Sequence, residues 1–121
     1  MTPAELEERM LDFAARVGKV VDALPETRMG RHIAGQLVRS GTSPSPNYAE
    51  ACACESRADF IHKLGIVLKE LRESRNWLRL IVKTELMPPE RLTELLDECN
   101  QLCNIIAQSI VTAKGNKNKR A

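Results

Sequence analysis

Ser40, Ser43, Asn47 and Glu50 place hydroxyls, an amide and a carboxylate in one short stretch, and a serine there could act as a nucleophile. Nucleophilic catalysis also needs a base and an oxyanion hole. No His or Lys lies in the local pattern, and no Gly-rich turn follows it. An enzyme built on this cluster is the weaker reading. The stronger one is a buried polar network beside Pro44 and Pro46, joined by Arg75 from the next helix. A charge at a buried seam position costs several kcal/mol unless paired, which makes Glu50 the expected partner of Arg75. Such a pair fixes helix register and does no chemistry.

The four cysteines raise the question of a zinc site. Cys99 and Cys103 share a helix face, and Cys52 and Cys54 are close in sequence. In a bundle, however, the two pairs differ in height by roughly 15–20 Å at 1.5 Å per residue, too far for zinc–sulfur bonds. Cys99 and Cys103 read instead as small core residues. His32 and His62 have no Cys or carboxylate at ligand spacing, and the Glu-x-x-His pattern of di-iron bundles is missing from the sequence. No metal or other cofactor is expected.

Lys69, Arg72, Arg79 and Lys83 lie along one side of a helical stretch, with Asn76 between them. Such a row can track phosphates. The plainer alternative is a solvated face whose charge Glu70 and Glu73 partly cancel. In the same stretch Ile66, Trp77 and Leu80 point nearly opposite to the main apolar seam. Three aligned apolar residues, among them the only Trp, read as a subunit contact.

These side chains must be positioned by helices. The central element covers residues 56–82, with Leu64, Leu68, Leu71, Leu78 and Val82 at alternating steps of four and three. Arg75 takes the slot in that run that should be apolar. Ser56 is the expected N-cap, with Asp59 in the first turn. The element should close near residues 85–87, before Pro88 and Pro89.

Ahead of it, Thr2, Pro3 and Glu5 spell a capping box. Leu6, Met10, Phe13, Val17, Val20 and Leu24 follow at the same spacing until Pro25. A second helix begins near residues 25–27 and carries Met29, Ile33 and Leu37 inward. Pro44 and Pro46 then either end it near Gly41 or kink one helix that runs to about Ala53. The kinked helix is favoured, with the hydroxyls of Ser40, Thr42 and Ser43 meeting groups the prolines free. The last helix opens at Pro89 or Glu90. Leu92, Leu95, Cys99, Leu102 and Ile106 form its inner seam, flanked by Leu96, Cys103 and Ile110.

Helices joined by such short connections predict an all-α fold, an antiparallel up-down-up-down four-helix bundle over residues 1–113. A basic, flexible tail over 114–121 completes the chain, and its Lys114, Lys117, Lys119 and Arg120 could add a sequence-blind contact. At 121 residues the chain makes one domain. Aromatics are 3%, too few for a base-stacking surface, and a net charge of +2 does not imply nucleic acid by itself. No apolar run approaches a membrane span, and the acidic start lacks an apolar signal region. A cytoplasmic location is expected.

Leu37, Arg39, Ser40, Ser43, Asn47, Glu50 and Ala51, followed by Phe60, Leu64, Gly65, Lys69, Glu70, Leu71 and Glu73, form an ordered pattern across two helices. In these residues the chain resembles the bacterial four-helix-bundle proteins encoded by intervening sequences of large-subunit ribosomal RNA. Where that family usually carries an isoleucine and a small residue, this chain has Pro44, Ser45 and Pro46. The resemblance implies a homopentamer of bundles around a central axis. It also implies kinship with the nucleic-acid-binding accessory proteins of diversity-generating retroelements, but supplies no activity. Together these point to a non-enzymatic oligomeric scaffold that binds RNA or another nucleic acid. A protein–protein adaptor, with an unidentified partner and no nucleic acid, is the alternative.

Overall fold

The computed structural model describes residues 1–119, with side chains described to residue 115. Among these residues the fold is all-α, with no strand. Helix α1 is Pro3–Ala23, α2 is Arg28–Thr42, α3 is Pro44–Cys52, α4 is Arg57–Lys83 and α5 is Thr93–Lys119. A single 3-10 turn, Pro89–Arg91, precedes α5. Because α2 and α3 meet at Ser43, the chain folds as four helical arms.

The helix starts follow from local chemistry. Thr2 and Glu5 form the reciprocal capping box, each side chain accepting from the other residue's amide. Thr27 caps α2 and Ser56 caps α4 in the same way, with hydroxyl oxygens accepting from Gly30 and Asp59. The stop of α4 comes slightly earlier than its periodicity suggests. Thr84 is its C-cap, and Glu85 takes a φ of 56°, the left-handed conformation that turns the chain out of a helix.

Between α2 and α3 the backbone of Ser43 stays helical (φ −74°, ψ −37°) while the hydrogen-bond ladder lapses. Pro44 and Pro46 cannot donate to carbonyls four residues back. The nearby hydroxyls do not reach forward to those carbonyls. Thr42 Oγ1 donates back to Val38 O at 2.6 Å, and Ser40 Oγ lies 3.4 Å from Leu37 O. Asn47 instead donates to Ser43 O at 3.0 Å and Ser43 Oγ at 2.9 Å, tying the first turn of α3 to the break.

The core is the sum of the seams. All six α1 positions from Leu6 to Leu24 are buried, as are Ile33, Leu37, Leu92, Leu95, Cys99, Leu102 and Ile106. Met29 is not: it is 45% exposed near the start of α2, where Gly30 takes the inward place. Gly41 permits a close approach of α1 and α2. A Cβ there would sit 2.7 Å from Val17 Cγ1. Along the α4–α5 contact, Phe60 faces Ser109 across a cleft, Cys99 Sγ lies 3.3 Å from Leu71 O, and Arg79 shares a recess with Leu96. No helix among the described residues is long and apolar enough to cross a membrane.

α5 continues through Lys119, into the stretch expected to be a flexible tail. The side chains from residue 116 onward, including those of Lys117, Lys119 and Arg120, lie outside the described residues.

Candidate nucleic-acid interface

The buried seam of α4 runs through Leu64, Val67, Leu71, Ser74, Leu78 and Ile81, at alternating steps of three and four. Ser74, not Arg75, is therefore the polar residue in the seam. Leu64, Leu71 and Leu78 belong to both seams, so the buried face turns by about 50° relative to the sequence-based assignment. It fixes which side chains face water.

What faces water is Gly65, Lys69, Arg72, Asn76, Arg79 and Lys83, again at steps of four and three and all exposed. From Lys69 to Lys83 the row covers about 21 Å at 1.5 Å per residue. The carboxylates expected to cancel it are engaged elsewhere. Arg39 of α2 donates to Glu70 Oε2 at 3.1 Å and to Glu73 Oε2. Glu70 is only 8% exposed, and both acids lie about 80–140° round α4 from the middle of the basic row. Among the described residues the remaining ion pairs are Arg9 with Glu98 and Lys63 with Glu50. None involves Lys69, Arg72, Arg79 or Lys83.

Arg75 stands at the α5-facing edge of this row. It is half-buried and donates to Asn100 Oδ1 at 3.2 Å. With Arg79, Leu96 and Asn100 it lines an open recess of about 400 Å³. It does not pair with Glu50. That carboxylate accepts from Lys63 Nζ at 2.6 Å, twelve residues earlier on α4, a height difference of about 18 Å.

The rest of the expected polar network separates in the same way. Ser40 is fully buried and accepts a 2.9 Å hydrogen bond from Ser74, which is also fully buried. Ser43 and Asn47 bond to each other at the helix break, and Glu50 is exposed. Ser40, Ser43, Asn47 and Glu50 thus do not converge on a common point. No base touches either serine. Ser74 continues a three-four register from Leu71 to Leu78, but Arg75 continues a four-three one equally well, and the bond to Ser40 decides between them.

Ile66, Trp77 and Leu80 occupy a flank and not an outward stripe. All three are half-buried, and Trp77 and Leu80 pack against their own core. The Trp77 ring meets the His32 ring edge-on at 5.7 Å, and its Nε1 donates to Glu73 Oε2 at 3.2 Å. The large apolar side chains most open to water are instead Met1, Leu11, Met29, Val38 and Val111.

Cys99 and Cys103 are buried beneath the basic row, one turn apart on α5. The hydrogen bond from Cys99 draws the Cys103 thiol down to about 7 against the cost of burial, with Arg75 and Arg72 assisting. The same bond and burial push Cys99 up. Cys52 and Cys54 lie at the end of α3. Among the described residues no three His, Cys, Asp or Glu side chains are gathered in a way that could hold a metal ion.

Residues 4–108 match the family described as 23S rRNA-intervening sequence protein. The fold is similar to a crystal structure of a protein of unknown function from the S23 ribosomal protein family of Bacteroides thetaiotaomicron. The two share 33% identity with a TM-score of 0.78, over 87% of this chain and 97% of that one. No curated protein matches the chain.

Proposed function

The chain belongs to the family of 23S rRNA-intervening sequence proteins, and from that premise we propose that it is a non-enzymatic, cytoplasmic RNA-binding scaffold. One observation carries this reading. Lys69, Arg72, Arg79 and Lys83 form an exposed row while Glu70 and Glu73 are held by Arg39 on another side of the helix. A phosphate backbone meets such a row as a line of free cations and releases counterions on binding. The intervening-sequence origin of the family name favours RNA over DNA as the partner.

The scaffold is read as an antiparallel up-down-up-down bundle whose second arm bends at Pro44 and Pro46. Supporting it, residue numbers rise along α4 as they fall along α5 from Phe60–Ser109 through Leu71–Cys99 to Arg79–Leu96. Self-association into a homopentamer would repeat the row in each subunit and multiply a weak local field. The half-buried edges of Ile66, Trp77 and Leu80 are the proposed subunit contact. They sit about 60–120° round α4 from the middle of the row, with Leu80 the nearest, in one recess with Arg79 and Lys83.

RNA titrated against the protein at low and moderate salt, with fluorescence anisotropy as the readout, tests the reading. Binding that weakens steeply with salt supports it. No association with single-stranded or structured RNA at low salt removes it and leaves the protein–protein adaptor.

A further inference from the structure

Besides the recess that holds Arg75 and Arg79, α4 and α5 border a second opening. There the start of α4 and the last turns of the described part of α5 part to form an open cleft of about 530 Å³. Its walls include Glu55, Arg57, Phe60, Gln108, Ser109 and Thr112. By helical angle Arg57 lies on the same α5-facing edge of α4 as Arg75, one end of a line that passes Arg72 and ends at Arg79. Phe60 is about 18 Å along the helix from Arg72. The cleft and the Arg75 recess thus lie along the same edge of α4.

We propose that this cleft holds one unpaired RNA base while the basic row holds phosphates farther along the same strand. The proposal rests on the RNA-binding reading above and extends it from backbone to base. Three features favour a base over a phosphate. The wall mixes chemistries: Glu55, Arg57 and Gln108 all line the cleft and bring acceptor and donor groups to one space. A carboxylate repels a phosphate but accepts from an exocyclic amine. Phe60 supplies an aromatic surface, and unpaired bases in RNA are commonly stacked on aromatic or guanidinium planes. Finally, the volume falls within the range of small-molecule sites.

The hydroxyls define the edge further. Ser109 Oγ already donates to Ile105 O at 2.9 Å, so toward the cleft it acts as an acceptor. Gln108 Nε2 and Thr112 Oγ1 lie 3.4 Å apart, a long contact that a ligand edge can replace. Both residues are exposed, so neither carries the fold.

The test uses the full chain with two oligomers of equal length and charge. One is single-stranded RNA and the other the same backbone with abasic riboses. The expected result is at least about 10-fold tighter binding of the base-containing strand, the scale of one stacked base. Phe60→Leu combined with Gln108→Ala and Thr112→Ala should bring that ratio close to one and leave the salt slope unchanged. Equal binding of both oligomers by the unmodified protein, with steep salt dependence, overturns the cleft and leaves the basic row standing. A base preference that survives in the triple variant also overturns it. Failure of both oligomers to bind at low salt removes the RNA-binding reading and this inference with it.

Discussion

The Arg39 guanidinium on α2 donates to the Glu73 carboxylate on α4, and this contact fixes the electrostatic character of a different face. Glu73 lies about 100–120° round α4 from Arg72 and Arg79. Trp77 Nε1 donates to the same oxygen, Oε2, and Arg39 also holds Glu70. With both acids anchored toward α2, the outer row keeps its positive charge.

Arg39→Ala should therefore lower stability by about 1 kcal/mol. Arg39 is 51% exposed at its side chain, which keeps the pair near the value of surface bridges. Glu70, nearly buried, would lose its ionic partner. Chemical denaturation of the single variant and of Arg39→Ala with Glu70→Gln measures the effect. The double variant should recover part of the loss, because the uncompensated charge is gone.

Ser40 and Ser74 form a buried pair across α2 and α4. Ser74→Ala should cost about 1 kcal/mol, the net value of a typical hydrogen bond. Removing both hydroxyls should cost less than the sum of the single variants, since each then leaves no unmet partner. Strict additivity in a double-mutant cycle would contradict the pairing.

Gly41→Ala should destabilise by about 1–3 kcal/mol through overpacking. Its Cβ would lie 2.7 and 2.9 Å from the two Val17 methyls, and Val17 is fully buried on a stiff, β-branched stem. Gly41→Ala combined with Val17→Ala should recover part of that loss. Thermal melts of the two variants and the unmodified chain read this directly.

The thiol pair predicts a pH signature. Cys103 titrates near 7 in the fold and near 9.0 unperturbed, while Cys99 is raised. Between about pH 7 and 9 the folded chain has lost a proton that the unfolded chain keeps, so stability rises with pH, by an amount on the order of 1 kcal/mol. Above about pH 9 unfolded Cys99 ionises and folded Cys99 does not, so the sign reverses. Denaturation midpoints across pH 6.5–10 should show that rise and fall, and Cys103→Ala should remove the rise.

Much of the fold was legible in the sequence because caps and seams are local. Thr2 and Glu5, or Leu92 through Ile106, need only periodicity and neighbours to be read. The site was less legible because its decisive contacts are between helices. A seam stepping from Leu71 to Leu78 fits Ser74 or Arg75 equally well in apolar content alone, since neither is apolar. Only packing against Ser40 decides it. The same ambiguity misplaced the partner of Arg75, which is Asn100 on α5, and the outlook of Trp77, which meets His32. The basic row itself was visible, because four cations at steps of three and four need no partner to define a face. That Glu70 and Glu73 leave it unopposed depends on Arg39, one helix away.

The most direct test of the account is the salt dependence of single-stranded RNA binding by the unmodified chain and by Arg72→Glu combined with Arg79→Glu. Four phosphate contacts per subunit predict a log–log slope of about −2.8, at about −0.7 per contact. The double variant should flatten that to about −1.4 or less and weaken binding by at least about 10-fold at low salt, with its helix content and melting unchanged. A slope near zero, or a double variant that binds as the unmodified chain does, would contradict the assignment of this face to RNA.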